Sequence, residues 1–412
     1  MKTLGHSRHA LTLGAAAALL AGCGGSPMRG IPGSSAVGFT AQRTRPNVTY
    51  AVLYSFKGGS ADGATPSAPL LDVNGVLYGT TSGGGDSGNG TVFSITSSGV
   101  ETVLHNFEGG SDGADPVAGL INVDGTLYGT TVSGNRNRLG VVYRISTGGI
   151  ERVLHSFSGQ PGDGRNPGAG LLDVKGTLYG TTPYGGSYRC GGVGCGTVYS
   201  INKRGNEKVL YGFLGSQGAD GAFAHTPLIN VNGLLYGTTL SGGFKNNGVV
   251  YRISTGGTEQ VLHMFRKKTP KGDGSGPFAG LVNVNGTLYG TTPNGGSNGD
   301  GTVYSISTSG EEKVLYSFHG YDGLRPYGSL VAVNGTLYGT TQRGGSEGCK
   351  NGCGTVYSIT TQGEENVVHS FGNTSDDGQT PMAALIDVDG TLYGTTNDGG
   401  AYGDGTAFAL TP

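Results

Sequence analysis

From residue 47 onward the apolar and polar positions of this chain follow one pattern, repeated seven times. In the second unit Val117 to Val123 (VAGLINV) is a short apolar run. Asp124-Gly125 then makes a two-residue turn, and Thr126 to Thr131 (TLYGTT) runs back. A variable loop follows, then Gly140 to Ile145 (GVVYRI), a glycine-containing turn, and Glu151 to Phe157 (ERVLHSF). Each segment has about the usual five or six residues of a strand, which predicts four strands per unit, A to D. The A–B turn is Asn-Gly or Asp-Gly in six units and Lys175-Gly176 in the third. Both central positions of such a hairpin need positive φ, which Asn, Asp and Gly accept most readily.

The segment Leu-Tyr-Gly-Thr-Thr starts at Leu77, Leu127, Leu178, Leu235, Leu288, Leu337 and Leu392, in steps of 49 to 57 residues. A period near fifty with several strands per unit is the signature of propeller blades. The chain ends agree with it. Val52 to Phe56 is a D-type strand with no C strand before it, and Gly405 to Leu410 is a C-type strand with no D after it. Pairing them closes the ring and leaves no open sheet edge. The predicted fold is all-β: a seven-bladed β-propeller of four-stranded antiparallel blades over residues 47–412, with strand 52–56 completing the last blade.

Composition adds an address. Gly is 84 of 412 residues, placed mainly at turns between β-type segments. The net charge of −2 implies no basic face for nucleic acid. Lys2 and Arg8 precede an apolar run from Ala10 to Leu20. That run is too short to span a bilayer, which takes ~20 residues, and residues 1–22 read as a signal peptide. Leu20-Ala21-Gly22-Cys23 resembles the lipobox of bacterial lipoproteins. The resemblance implies lipidation of Cys23, and Gly24 after it resembles the outer-membrane class. Residues 23–46, rich in Gly, Ser and Pro, read as a flexible tether. The expected location is the bacterial envelope, with the lipid anchor as the sole membrane contact of a monomeric propeller. Cys190 and Cys195 share one loop, and Cys349 and Cys353 share its equivalent three repeats later. Blades three apart lie nearly opposite on the ring, on the order of 20 Å apart given a strand spacing of ~4.8 Å. Two local disulfides are therefore expected rather than one four-thiolate zinc site.

The strand order, with its glycine-rich end of B and an aromatic in C, resembles a kelch-type blade. Here Thr-Thr stands between strand B and the glycine pairs Gly83-Gly84, Gly185-Gly186 and Gly242-Gly243, and the chain has no Trp. The unit resembles more specifically the bacterial tandem repeat called GloVer, found in exported "choice-of-anchor" proteins. The residues that carry this are the Gly-Thr-Leu-Tyr-Gly-Thr-Thr segments, the Gly-Gly loops and segments such as Gly301 to Ile306 (GTVYSI). The resemblance covers nearly all of residues 50–412 and implies export and an anchor, here the lipobox, without implying a mechanism.

Alternating strand direction puts the A–B and C–D turns on one face and the longer, variable B–C and D–A loops on the other. Variable loops on a rigid scaffold are where binding is expected. Residues repeated in every unit are read as structural. Asp-Gly recurs at Asp62, Asp112, Asp163, Asp220, Asp273, Asp322 and Asp377, and six of the seven continue to Pro as Asp-Gly-x-x-Pro; an Asx-turn accounts for them. His105, His155, His263 and His369 share one D-strand position with Tyr54, Tyr211 and Tyr316. They lie on separate blades and cannot converge on one metal ion. The fourth unit reads as an Asp-Gly-to-Pro segment stretched by three residues, bringing in Phe223 and His225.

Off-pattern residues on the loop-rich face form the candidate ligand site. The disulfide loop of the third unit offers Tyr184, Tyr188 and Arg189, and the fourth unit offers Phe223, His225, Phe244 and Lys245. Tyr321, Arg325, Tyr327, Arg343 and Tyr402 complete the set. Aromatic planes among polar groups suit a polysaccharide or an envelope or extracellular protein. The predicted function is a surface-anchored, non-catalytic binding propeller with no cofactor and no metal. The alternative is a glycosidase or lyase acting at the mouth of the axial channel, which would need two carboxylates ~5–9 Å apart. The off-pattern acids Asp115, Glu347, Asp398 and Asp404 are the candidates for that pair, and no other catalytic motif is present. Arg266, Lys267, Lys268 and Lys271 read as a solvated basic loop.

Overall fold

The computed structural model describes residues 48–159, 162–186, 189–215, 220–266, 272–345 and 348–412. The predicted signal peptide, Cys23 and the tether lie outside them, as do Tyr188, Glu347, Lys267, Lys268 and Lys271. Seven four-stranded antiparallel sheets form the ring. In blade 1 the strands are A, Leu71–Val73; B, Val76–Thr81; C, Thr91–Thr96; and D, Glu101–Asn106. The seventh sheet takes its D strand from the start of the chain. Thr49–Ser55 pairs with Thr406–Thr411, from Thr49 opposite Thr411 to Ser55 opposite Thr406, with a one-residue bulge between Val52 and Tyr54. The closing strand begins three residues earlier than expected because Tyr50 belongs to it, and its hydroxyl donates to Asp377 at 2.7 Å.

The hairpin prediction holds at all seven A–B turns. Asn74 and Gly75 have φ of 55° and 80°, and Lys175 takes 53° as the asparagines do. The A strand itself is shorter than predicted: Ile121–Val123 rather than Val117 to Val123. A strands of consecutive blades touch one another around the axis, and there the preceding residues serve the neighbouring blade instead of their own sheet. The Ala118 carbonyl accepts from Thr80 of blade 1 at 3.1 Å, and Gly119 lies against Pro69.

Each residue of Leu-Tyr-Gly-Thr-Thr has its own physical reason, seen in blade 2. Leu127 is fully buried in the apolar cluster between blades 1 and 2, and Tyr128 in that between blades 2 and 3. Gly129 pairs across the sheet with Tyr143, and a Cβ there would meet the Tyr143 ring at 2.6 Å. The glycine lets the C-strand ring lie flat across strand B. That ring then packs edge-on against the Phe that ends strand D of the preceding blade. All seven such pairs have centroids 5.0 to 5.3 Å apart, from Phe56–Phe93 to Phe371–Phe408. The first threonine, Thr130, donates to the Ala169 carbonyl of the next blade at 3.2 Å. The second, Thr131, donates to Ser133 O and accepts from Val141 N–H, pinning its own B–C loop.

Both expected disulfides, Cys190–Cys195 and Cys349–Cys353, are formed within their loops. The loop-rich face also carries a pairing that sequence reasoning missed. Residues after each Asp-Gly aspartate form a two-residue ladder with those after Thr-Thr, as Gly63–Ala64 does with Gly83–Gly84. Blades 2 and 6 reduce it to the single bridges Ala114–Ser133 and Leu324–Arg343.

Gly339→Ala should cost about 1–3 kcal/mol by forcing Tyr357 aside. Thr340→Val should cost about 1–3 kcal/mol by leaving the buried Ala383 carbonyl unpaired. Urea unfolding measures both, and wild-type midpoints in either variant would contradict these roles.

Candidate functional site

The segment from Asp-Gly into strand A builds the centre of the loop-rich face. Its fourth residue takes positive φ in every blade: Thr65, Asp115, Asn166, Phe223, Gly276, Arg325 and Thr380, from 55° to 65°. Its N–H is fixed by the B–C loop of the preceding blade, as Asp115 by Asn89 O at 3.0 Å and Phe223 by Cys195 O at 2.8 Å. Phe223 therefore holds the standard register. Blade 4 has no stretch; Ala224 simply stands where the other blades have proline, and the sequence expectation misplaced it by counting to Pro227.

Two residues beyond that position each blade presents one residue to the axis: Ser67, Val117, Gly168, His225, Phe278, Tyr327 and Met382. Together they line a funnel of about 630 Å³ on the loop-rich face. Blades 4, 5 and 6 give it a continuous aromatic wall. His225 stacks on Phe278 at 4.8 Å, and Phe278 meets Tyr327 edge-on at 5.3 Å. Burial lowers the His225 pKa below its ordinary 6.5, so the ring is neutral at pH 7. Blades 7 and 1 line the funnel with Asn397 and Ser67, whose buried Oδ1 and Oγ lack hydrogen-bond partners among the described residues. No described residue lining the funnel carries a charge, so the carboxylate pair of a glycosidase is not assembled there.

His225 and Tyr327 are thus the two sequence-predicted residues that line the funnel, joined through Phe278. Phe278 and Met382 were missed, although the shared position after Asp-Gly-x-x-Pro aligns them with His225 and Tyr327. Arg325 and Arg343 lie instead in a cleft of about 570 Å³ between blades 5 and 6, with Asp300 and the Cys349 loop. The rest occupy the rim. Tyr184 packs edge-on against Phe223 at 5.5 Å, with Arg165 over its ring, and Arg189 is exposed. Phe244, under Lys245, and Tyr321 are about three-quarters exposed. Tyr402 is exposed beside Lys57.

The repeated aspartates and the D-strand His/Tyr position prove to be one interaction. Tyr54 donates to Asp62 and Tyr211 to Asp220 at 2.7 Å, and Tyr316 donates to Asp322. His105, His155, His263 and His369 stand 3.5 to 3.6 Å from Asp112, Asp163, Asp273 and Asp377. Six of the aspartates also accept the N–H that follows the D-strand phenylalanine, as Asp62 does from Lys57 at 2.9 Å, and Asp377 accepts that of Asn373, one residue further on, at 3.3 Å, so each caps the whole loop rather than a local Asx-turn. A third group, absent from the sequence reading, comes from the next blade's D strand. It is Glu101, Glu151, Glu207, Glu259, Glu312 or Glu365, and Tyr50 at the closing junction. Burial, with the neighbouring aspartate adding to it, pushes the first five glutamates up to about 7 and Glu365 up to about 8.

The chain matches the profile of the Gloeobacter/Verrucomicrobia repeat at residues 30–194, 97–294, 184–349 and 283–412. No curated protein matches it in sequence. Among solved structures, an ancestral GH74 enzyme is similar with a TM-score of 0.54 at 12% identity, over 85% of this chain and 48% of that one. This chain therefore spans about half the length of that enzyme. A structure named for 6-phosphogluconolactonase from Bacteroides uniformis has a TM-score of 0.48 at 13% identity, covering 76% of this chain and 86% of that one. A quinohemoprotein alcohol dehydrogenase from Pseudomonas putida has 0.48 at 12%, covering 88% and 75%. At these identities the likeness is one of fold alone.

The junction glutamates bind protons more tightly in the folded state than at the unfolded value of ~4.3. Their stabilisation is full below that value and is lost as pH rises through 7 to 8. Calorimetric Tm should therefore fall from pH 6 to pH 8.5. Glu365→Gln, at a junction where Tyr316 faces the aspartate, should flatten part of the fall. A Tm that rises across this range would contradict the assignment.

Proposed function

This chain belongs to the Gloeobacter/Verrucomicrobia repeat family, and from that premise we propose that it is a lipid-anchored binding module of the bacterial envelope whose axial funnel takes a neutral sugar ring of a polysaccharide. The observation that carries the reading is the wall of His225, Phe278 and Tyr327 in an uncharged funnel whose lining also includes the polar residues Ser67, Ser82, Ser329 and Asn397. A sugar ring has apolar faces that stack on aromatic planes and an equator of hydroxyls that need donors and acceptors. A charged ligand would enter this funnel with no counter-charge among the described residues, at a large desolvation cost. Cys23 holds the module at the outer membrane, and residues 23–46 give it reach.

A glycan array probed with the full chain in detergent should give binding to neutral polysaccharides. Phe278→Ala combined with Tyr327→Ala should weaken it about five- to 150-fold, in line with about 0.5–1.5 kcal/mol for each stacked ring. Binding that survives this change and disappears with Tyr184→Ala and Phe244→Ala would move the site to the rim. An absence of any neutral glycan ligand would overturn the reading in favour of a protein partner. Separately, Cys23→Ser should abolish incorporation of labelled palmitate in a bacterial host; retained label would refute the anchor.

A further inference from the structure

The seven blade junctions use one three-residue arrangement, and they do not all satisfy it in the same way. Where the D-strand residue is tyrosine, its hydroxyl donates to the aspartate and completes it, as Tyr211 does for Asp220 at 2.7 Å. At the closing junction Tyr50 replaces the glutamate and donates to Asp377. The junction between blades 2 and 3 has neither device. Asp163 Oδ2 is occupied by the N–H and hydroxyl of Ser158, at 2.7 and 2.6 Å. Its Oδ1 faces His155 Nε2 at 3.5 Å, beyond a good hydrogen bond. Asp163 Oδ1, His155 Nε2 and Glu207 Oε1 are all buried atoms without hydrogen-bond partners among the described residues.

The donor atoms that His155, Asp163 and Glu207 offer lie within 4.8 Å of one another. In a tetrahedral zinc site with bonds of ~2.0–2.1 Å, ligand atoms stand about 3.4 Å apart. The Asp163–His155 separation already has that value, and Glu207 needs only a side-chain adjustment. We propose that this junction is a binding site for a first-row divalent cation such as Zn²⁺, held by His155, Asp163 and Glu207 with a water completing the shell. One imidazole and two carboxylates favour such an ion over Ca²⁺ or Mg²⁺, which take all-oxygen shells. A second site of the same make lies between blades 4 and 5. There His263, Asp273 and Glu312 fall within the same distance and line a cleft of about 740 Å³. The cation would tie the D strand of one blade to the D strand of the next.

The three tyrosine junctions supply the control. His155→Tyr and His263→Tyr change each site into the form that its sister blades use to fold without a cation, so loss of binding can be separated from loss of structure. The full chain, purified in detergent and stripped with EDTA, is titrated with Zn²⁺ by calorimetry. Two sites are expected in the wild type, one in His155→Tyr and none in the double variant. Zn²⁺ should raise the Tm of the wild type by several degrees and leave that of the double variant unchanged. Should the double variant fail to fold, Glu207→Gln with Glu312→Gln serves in its place, with the same loss of Zn²⁺ sites expected. Absence of Zn²⁺ binding in the wild type, or unchanged stoichiometry in the double variant, overturns the proposal.

Discussion

Each blade holds the next by one threonine hydroxyl. The first Thr of Thr-Thr donates to a carbonyl at the entry to the neighbouring A strand, at 2.9 to 3.3 Å in all seven blades, and the last, Thr395 to Ala68, closes the circle. One such bond contributes only about 0.5–1.5 kcal/mol net. Its larger effect is positional. The accepting residue is Ala68, Ala118, Ala169, Thr226, Ala279, Gly328 or Ala383, and in every blade it directly follows the side chain that faces the funnel. The same bond that joins the blades therefore fixes the register from which a ligand would be contacted.

That coupling explains how a nearly seven-fold ring can carry a directional site. The rest of the unit is constrained: glycine under the C-strand ring, phenylalanine against that ring from the preceding blade, aspartate capping the D–A loop. The position before the clamped carbonyl is free to vary, and it runs from glycine in blade 3 to tyrosine in blade 6. Aromatic residues occupy it in three consecutive blades, and small or aliphatic ones in the remaining four. The junctions show the same economy on the outer edge, where histidine and tyrosine serve one aspartate by different chemistry.

The repeat made the fold legible because the strongest signals were local. Asn-Gly turns, the strand pattern and the matching chain ends determine blade number and closure without any long-range information. What escaped was interaction between units. The A strand was taken as seven residues because Val117 to Leu120 are apolar, while their backbone is in fact claimed by the preceding blade. Asp163 and His155 read as separate structural rings, because nothing in sequence spacing shows that a loop carboxylate turns back onto strand D. Glu207 was passed over for the same reason. The funnel was only half seen, since irregular loops drew attention and Phe278 sits in a segment of standard length. Aligning blade 4 on its positive-φ residue Phe223 rather than on proline would have put His225, Phe278, Tyr327 and Met382 in one column.

The central claim is that variation at this single register, on a repeated scaffold, makes the ligand site. Hydrogen–deuterium exchange with and without neutral envelope polysaccharide fragments tests it directly. The account predicts slower exchange confined to the segments around His225, Phe278 and Tyr327, with the disulfide loops and the Tyr184–Phe244 rim unchanged. Protection at that rim with none at the three axial segments would contradict it.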